Sequence, residues 1–247
     1  MIPKVIHYCW FGRNPLPESA VKCIESWRKY MPDYEIKEWN EDNFDVNMIP
    51  YTAEAYSVKK YAFVSDYARY WVLYHYGGVY FDTDVEVIKS LDDIIAKGPF
   101  MGIEYKGKDS YPMVAPGLGI AVEPGHNFYQ SMLNYYAGVH FLDANGNRSK
   151  HEAIVRRTTN QFIELGMKKA NELQLVDGIW IYPQDYFNPF DDATGRLSIT
   201  ENTRTIHWYS RSWQNVSPFR IWLSRMSHRI WGRSLYEFRT KWLGLLK

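Results

Sequence analysis

Residues 3–11 (PKVIHYCWF) form a short run of β-branched, aromatic and other apolar side chains, ended by Gly12, Asn14 and Pro15. A run of this kind between turn-formers predicts a buried strand. Pro17 and Glu18 then open a segment with Ala20, Cys23, Ile24 and Trp27 at helical spacing, stopped by Pro32. Residues 34–39 (YEIKEW) alternate like a second strand. Strand, helix and strand within forty residues commit the chain to a parallel or mixed α/β sheet, because two parallel neighbours need a crossover connection.

The rest of the chain fits that beginning. Residues 52–76 lack Gly and Pro and place Tyr61, Val64, Ala68, Trp71 and Val72 on one stripe, which predicts one long helix ending at Gly77-Gly78. A strand over residues 79–81 follows, with residues 85–88 read as its continuation. A short helix is expected after Ser90-Leu91-Asp92, then short strands within residues 98–122. Helices are expected over about 127–136 and 152–165, with late strands over 175–182 and 204–207. With 247 residues, 46% of them apolar, the chain can bury a full core, so global disorder is excluded.

Charge narrows the function classes. The net charge of +1 argues against a nucleic-acid binder, which would be strongly basic. The average conceals two surfaces: residues 218–247 carry seven Lys/Arg against one acid, whereas residues 1–217 hold 22 basic and 27 acidic residues. Residues 1–217 are therefore read as one domain and 218–247 as a basic tail. In that tail Trp222, Met226 and Ile230 recur at i, i+4 and i+8 among interleaved arginines. This is the pattern of an amphipathic helix on an anionic membrane surface, with a core-packed terminal helix as the alternative. No 18-residue apolar run and no signal-peptide pattern occur, and Cys9 and Cys23 form no CxxC pair. The expected location is the cytoplasm, peripheral on the membrane face.

The chemistry concentrates in GGVYFDTD, residues 77–84. Two carboxylates one residue apart at a strand end, Asp82 and Asp84, would lie on the same side of an extended chain. Two hard oxygen ligands suit Mg²⁺ or Mn²⁺ and, through it, phosphate oxygens. A solvated turn explains a bare DxD equally well. Upstream, Asp66 and Arg69 stand three apart on one face of an apolar, aromatic helix, where charges are seldom found without partners. An acceptor and a donor side by side suit the hydroxyls of a sugar.

The stretch S-D-x-x-R-x-x-x-L-x-x-x-G-G-V-Y-x-D-x-D, from Ser65 to Asp84, resembles the signature of glycosyltransferase family 32, with clostridial glucosylating toxins as more distant relatives. The opening I-P-K-V-I-H-Y-C-W-F-G and the late I-Y-P-x-x-Y-F-x-P and T-I-H-W-Y-S-R-S-W blocks are similar to the same family, in the same order. The resemblance spans about residues 2–213 and implies a GT-A fold, which is a Rossmann-like nucleotide-sugar domain with a mixed sheet. It also implies a divalent cation (Mn²⁺ or Mg²⁺) and transfer with retention of configuration. On matching positions, Asp82 and Asp84 correspond to the metal-diphosphate motif, and Asp66 and Arg69 to residues on the donor sugar. Tyr80 corresponds to an aromatic beside the donor, Trp10 to a ring stacked on the nucleobase, and Ser212 and Trp213 to a pair closing over the diphosphate. His207 corresponds to a third metal ligand. Where relatives carry two successive histidines, this chain has His207-Trp208, so the sequence leaves open which position faces the metal.

The function expected from this resemblance is transfer of a hexose from a UDP- or GDP-sugar to a saccharide or lipid-linked oligosaccharide in surface polysaccharide biosynthesis. Two other readings compete. D-T-D-V also fits a phosphatase or phosphotransferase whose first Asp attacks phosphorus, although that Asp usually lies on the first strand of its domain. The aromatic content of 17% would also serve a noncatalytic carbohydrate-binding protein.

Overall fold

The computed structural model describes residues 1–104, 111–210 and 225–226. Strand β1 (Val5–Cys9) is followed by helix α1 (Glu18–Tyr30) and strand β2 (Glu35–Trp39), with β1 and β2 parallel and in register from Val5 opposite Glu35 to Cys9 opposite Trp39. This is the strand–helix–strand opening expected, and α1 lies between the two prolines that delimit it. Next come α2 (Pro50–Ser57), α3 (Tyr61–Tyr76), β3 (Gly78–Tyr80), β4 (Val85–Val87), α4 (Asp92–Ile95), β5 (Phe100–Glu104), β6 (Met113–Val114) and β7 (Ile120–Val122). The chain continues through α5 (Asn127–Ala137), α6 (Ile154–Glu164), β8 (Gln174–Val176), β9 (Ile179–Tyr182), α7 (Gln184–Phe187), β10 (Phe190–Asp191), β11 (Arg196–Leu197) and β12 (Thr205–His207).

Eight strands form one mixed sheet in the order β2-β1-β3-β7-β5-β9-β8, with β6 paired to β5. Its β1–β2, β1–β3 and β5–β9 pairs are parallel, whereas β7 is antiparallel to both β3 and β5. The mixed α/β class expected from the sequence is therefore present. Two apolar clusters cover the sheet. One gathers residues of α2, α3, α5 and α6, and the other forms around Trp27 of α1 with Tyr8, Phe81, Val85 and Phe187. Trp27 is fully buried and donates its indole N–H to the Val85 carbonyl at 2.7 Å, which ties α1 to the chain just beyond the aspartate pair.

Three local expectations are corrected. The single helix over 52–76 is two helices, because the chain breaks at Val58, Lys59 and Lys60. Lys59 adopts φ 58°, and the Lys60 N–H reaches back to the Ala55 carbonyl. A helix can end at an ordinary residue in the left-handed region, so the lack of Gly or Pro did not reveal the break. Residues 175–182 are likewise two strands, a hairpin whose Asp177-Gly178 turn has φ 49° and 76°. Both values are positive, as a tight hairpin requires, and Asp-Gly is the dipeptide that supplies them. Finally, β4 does not continue β3. It leaves the large sheet and pairs antiparallel with β12 in a two-stranded sheet of its own. Strands β10 and β11 and helix α7 lie outside every element expected.

Gly77 and Gly78 allow the switch from α3 into β3. Gly77 has φ 62° as the helix ends, and a Cβ on Gly78 would crowd the Val5 carbonyl and His7. His7 is buried beneath this turn. It accepts the Trp39 indole N–H on Nδ1 at 3.1 Å, which leaves its Nε2–H to donate to the Gly77 carbonyl at 3.0 Å. Both nitrogens are thus satisfied only in the neutral ring, and burial pushes His7 down to about 4. Among the described residues no helix is long and apolar enough to cross a membrane. The tail over 218–247 lies outside the described residues except for Arg225 and Met226. Arg225 pairs with Asp192 at 3.0 Å and packs over the Phe190 ring.

Candidate active site

The site forms where β3 ends and the chain turns into β4. Sequence reasoning placed Asp82 and Asp84 on one side of a continuous strand, but residues 82–85 form a turn instead, closed by the Val85 N–H on the Asp82 carbonyl at 3.0 Å. The two carboxylates converge because the chain folds back. Together with His207 they present three ligand atoms within 4.8 Å of one another. Two hard oxygens and one imidazole nitrogen are a donor set suited to Mn²⁺ or Mg²⁺. Within the described residues His207 Nδ1 is buried without a hydrogen-bond partner, a donor or acceptor still to be satisfied.

Asp82 belongs to a buried charge network. Arg69 Nη1 and Nη2 reach its two oxygens at 3.4 and 3.2 Å, and Nη2 also reaches Asp66 Oδ1 at 3.1 Å. Arg69 Nε donates to the Ser65 carbonyl, and the guanidinium lies 5.0 Å from the Tyr80 ring centre. Tyr80 is fully buried and donates its hydroxyl to Asp82 Oδ1 at 3.0 Å. One fixed cation therefore serves two carboxylates. Burial pushes Asp66 up to about 7, with the Arg69 charge opposing and the Asp82 charge reinforcing that rise. Opposite Asp82, the Gly117 carbonyl accepts the Asp82 N–H, and any Cβ on Gly117 would collide with Asp82 Oδ2. Only glycine fits there.

Asp84 is held from the other side by the late strand. His207 Nε2 lies 3.1 Å from Asp84 Oδ1, the Ser210 N–H donates to Oδ2 at 2.8 Å, and the Trp208 N–H donates to the Asp84 carbonyl at 3.0 Å. Burial pushes the Asp84 carboxyl up, but the His207 charge, the bond to it and the Ser210 donors prevail, leaving it well below the usual carboxylate range. His207 is raised in turn: burial lowers it, and the Asp84 pairing outweighs that loss. Of positions 207 and 208, His207 is the one beside Asp84, whereas the Trp208 indole turns away to donate to Glu86 and pack on Phe190.

Trp10 follows β1 half-buried, its indole N–H on the Asn14 carbonyl at 2.7 Å. Ser212 and Trp213 lie outside the described residues. Sequence reasoning missed Tyr209, which packs on His207, and Glu104 and Asn188, which lie around Tyr209. No local pattern announces them, because Tyr209 meets Glu104 across 105 positions.

Comparison with known proteins finds similarity over parts of the chain. Residues 17–101 match a family model described as a glycosyltransferase sugar-binding region containing a DXD motif. A glycosyltransferase of Acanthamoeba polyphaga mimivirus is 28% identical over 199 residues, covering 76% of each chain. Inositol phosphoceramide mannosyltransferase 1 of Schizosaccharomyces pombe is 32% identical over 111 residues, which are 40% of this chain. The match spans about a third of that enzyme's own length (33%). Among solved structures, a glycosyltransferase named PaToxG is 21% identical with TM-score 0.48, covering 66% of this chain and 69% of its own. The family resemblance drawn from the sequence is thereby met over residues 17–101, which match a DXD-type glycosyltransferase sugar-binding region and contain Asp66, Arg69, Asp82 and Asp84.

Proposed function

We propose that the protein is a retaining, metal-dependent GT-A glycosyltransferase that moves a hexose from a nucleotide sugar to a saccharide or lipid-linked acceptor in surface polysaccharide assembly. The observation that carries this reading is the convergence of Asp82, Asp84 and His207 beside the Asp66–Arg69 pair. Asp82, Asp84 and His207 would hold Mn²⁺ or Mg²⁺, which when bound supplies Lewis-acid stabilisation to charge developing on the departing nucleoside diphosphate. Arg69 orients the Asp82 carboxylate through contacts to both of its oxygens. Asp66, pushed up by burial and engaged by Arg69, is assigned to the sugar hydroxyls, which makes it a poor candidate for the nucleophile. This favours departure and attack on one face of the sugar over a covalent glycosyl-enzyme on Asp66. Trp10 presents a ring face to the base, a contact worth about 1–3 kcal/mol. Ser212 and Trp213, outside the described residues, are assigned by the family resemblance to the diphosphate.

The S. pombe relative is named a mannosyltransferase of inositol phosphoceramide, so GDP-mannose and a phosphate-bearing lipid acceptor head the trial substrates. The basic 218–247 tail would bring the enzyme to an anionic cytoplasmic membrane face. The test incubates the full chain with Mn²⁺ and a panel of UDP- and GDP-hexoses and measures nucleoside diphosphate release, with product anomer read by NMR. Mn²⁺-dependent release abolished by Asp84→Asn supports the reading. Phosphate release from p-nitrophenyl phosphate without sugar-nucleotide turnover overturns it in favour of the phosphatase. Equal vesicle flotation of the full chain and a 1–217 truncation overturns the membrane role alone.

A further inference from the structure

We propose that Tyr209 is a positioning residue of this site, fixing the His207 ring and the Asp84 carboxylate together; the inference rests on the metal-site reading above. Tyr209 lies between the two groups that grip Asp84. On one side its ring packs against His207 with centres 4.1 Å apart and planes tilted by 54°. On the other, its backbone turns at φ 50°, which brings the next N–H, that of Ser210, back onto Asp84 Oδ2. A left-handed conformation is uncommon for a bulky aromatic residue and persists only where its surroundings over-determine it.

Those surroundings are visible. The Tyr209 hydroxyl donates to Glu104 Oε2 at 3.3 Å, and the Asn188 side chain lies close to the same hydroxyl. Both anchors are buried, Glu104 at the end of β5 and Asn188 just past α7. Tyr209 therefore ties the 207–210 segment to the large sheet, although β12 itself pairs only with β4. Without the phenol ring the imidazole loses the wall that restricts its rotation. Without the hydroxyl anchor the turn that delivers Ser210 loses its attachment. Both groups act through His207 and the Ser210 turn, so the expected effect falls on the affinity of the ligand set, as outer partners of metal ligands do.

The experiment measures Mn²⁺ binding alone by the loss of its free-ion EPR signal, using the full chain, with unfolding midpoints in EDTA as the fold control. Tyr209→Asn removes the ring but tolerates positive φ, and Mn²⁺ affinity should fall about 10- to 100-fold. Tyr209→Phe retains the ring and loses the anchor, and should weaken binding about three- to tenfold. In turnover, KM for Mn²⁺ should rise while kcat at saturating Mn²⁺ is kept, a split that general loosening of the fold does not give. Wild-type Mn²⁺ affinity in Tyr209→Phe, or in a folded Tyr209→Asn, overturns the proposal. His207→Ala separates the two readings. If it weakens Mn²⁺ binding and the Tyr209 variants do not, only the positioning role falls. If neither wild type nor His207→Ala binds Mn²⁺, the metal site falls and this inference with it.

Discussion

Asp82 and Asp84 stand two residues apart, yet they belong to different parts of the molecule. Asp82 ends the β3 side of the large sheet and is tied to a buried Arg69 that also serves Asp66. Asp84 opens β4 in a two-stranded sheet and is held by a histidine and a backbone N–H from the last described strand and the turn beyond it. The first carboxylate is held by a cation that never loses its charge, and the second by a ring that does. One end of the motif is a permanent electrostatic framework, and the other is a closure that forms only when distant chain segments meet. Local sequence signals can encode the first kind of support but not the second.

Both halves should be essential to turnover. Asp82→Asn and Asp84→Asn are each expected to lower kcat/KM about a thousandfold, the scale of several kcal/mol of lost charge stabilisation, as measured by nucleoside diphosphate release. Stability should then separate them. Arg69→Met removes a buried cation from two half-buried carboxylates and should cost about 3–5 kcal/mol, against about 1–3 kcal/mol for His207→Ala, both read from urea unfolding. Equal losses would break the comparison.

The pH dependence should run in opposite directions at the two ends. The folded value of about 7 for Asp66 exceeds its ordinary 3.8. Its contribution is therefore complete below the ordinary value and is lost as pH rises through 7. Asp84 is lowered, so its contribution is present above its ordinary value and is lost as pH falls below it. Asp66→Asn should thus flatten the neutral side of a stability–pH curve, and Asp84→Asn the acid side. The smallest expected effect concerns the approach to the framework end. Lys59→Gly relieves a left-handed residue just before α3 and should gain up to about 1 kcal/mol, unless the change in unfolded-chain entropy cancels it, and thermal unfolding would show which.

Legibility in the sequence follows the same division. The helix between Pro17 and Pro32, the flanking strands and the Asp66–Arg69 spacing were readable because each is a local pattern of period two or 3.6. The turn joining Asp82 to Asp84 was not, since a strand and a tight turn both bring i and i+2 side chains together. The departure of β4 from the sheet was hidden for a related reason: its partner β12 lies more than a hundred residues later. Asp177-Gly178 did carry its hairpin in plain view, and reading 175–182 as one strand missed a turn dipeptide rather than a long-range contact. Glu104, Asn188 and Tyr209 form a cluster only in the folded chain, and no spacing rule connects them.

The β4–β12 pairing also sets when the second half of the aspartate motif can be assembled. Chains are synthesised from the N-terminus, so both motif aspartates emerge with more than half of the protein still to be made. A nascent or prematurely terminated chain lacking residues 205–210 has the DxD sequence but neither His207 nor the Ser210 N–H to complete its second half. On the proposed function, such a chain is expected to be inactive until translation has passed β12.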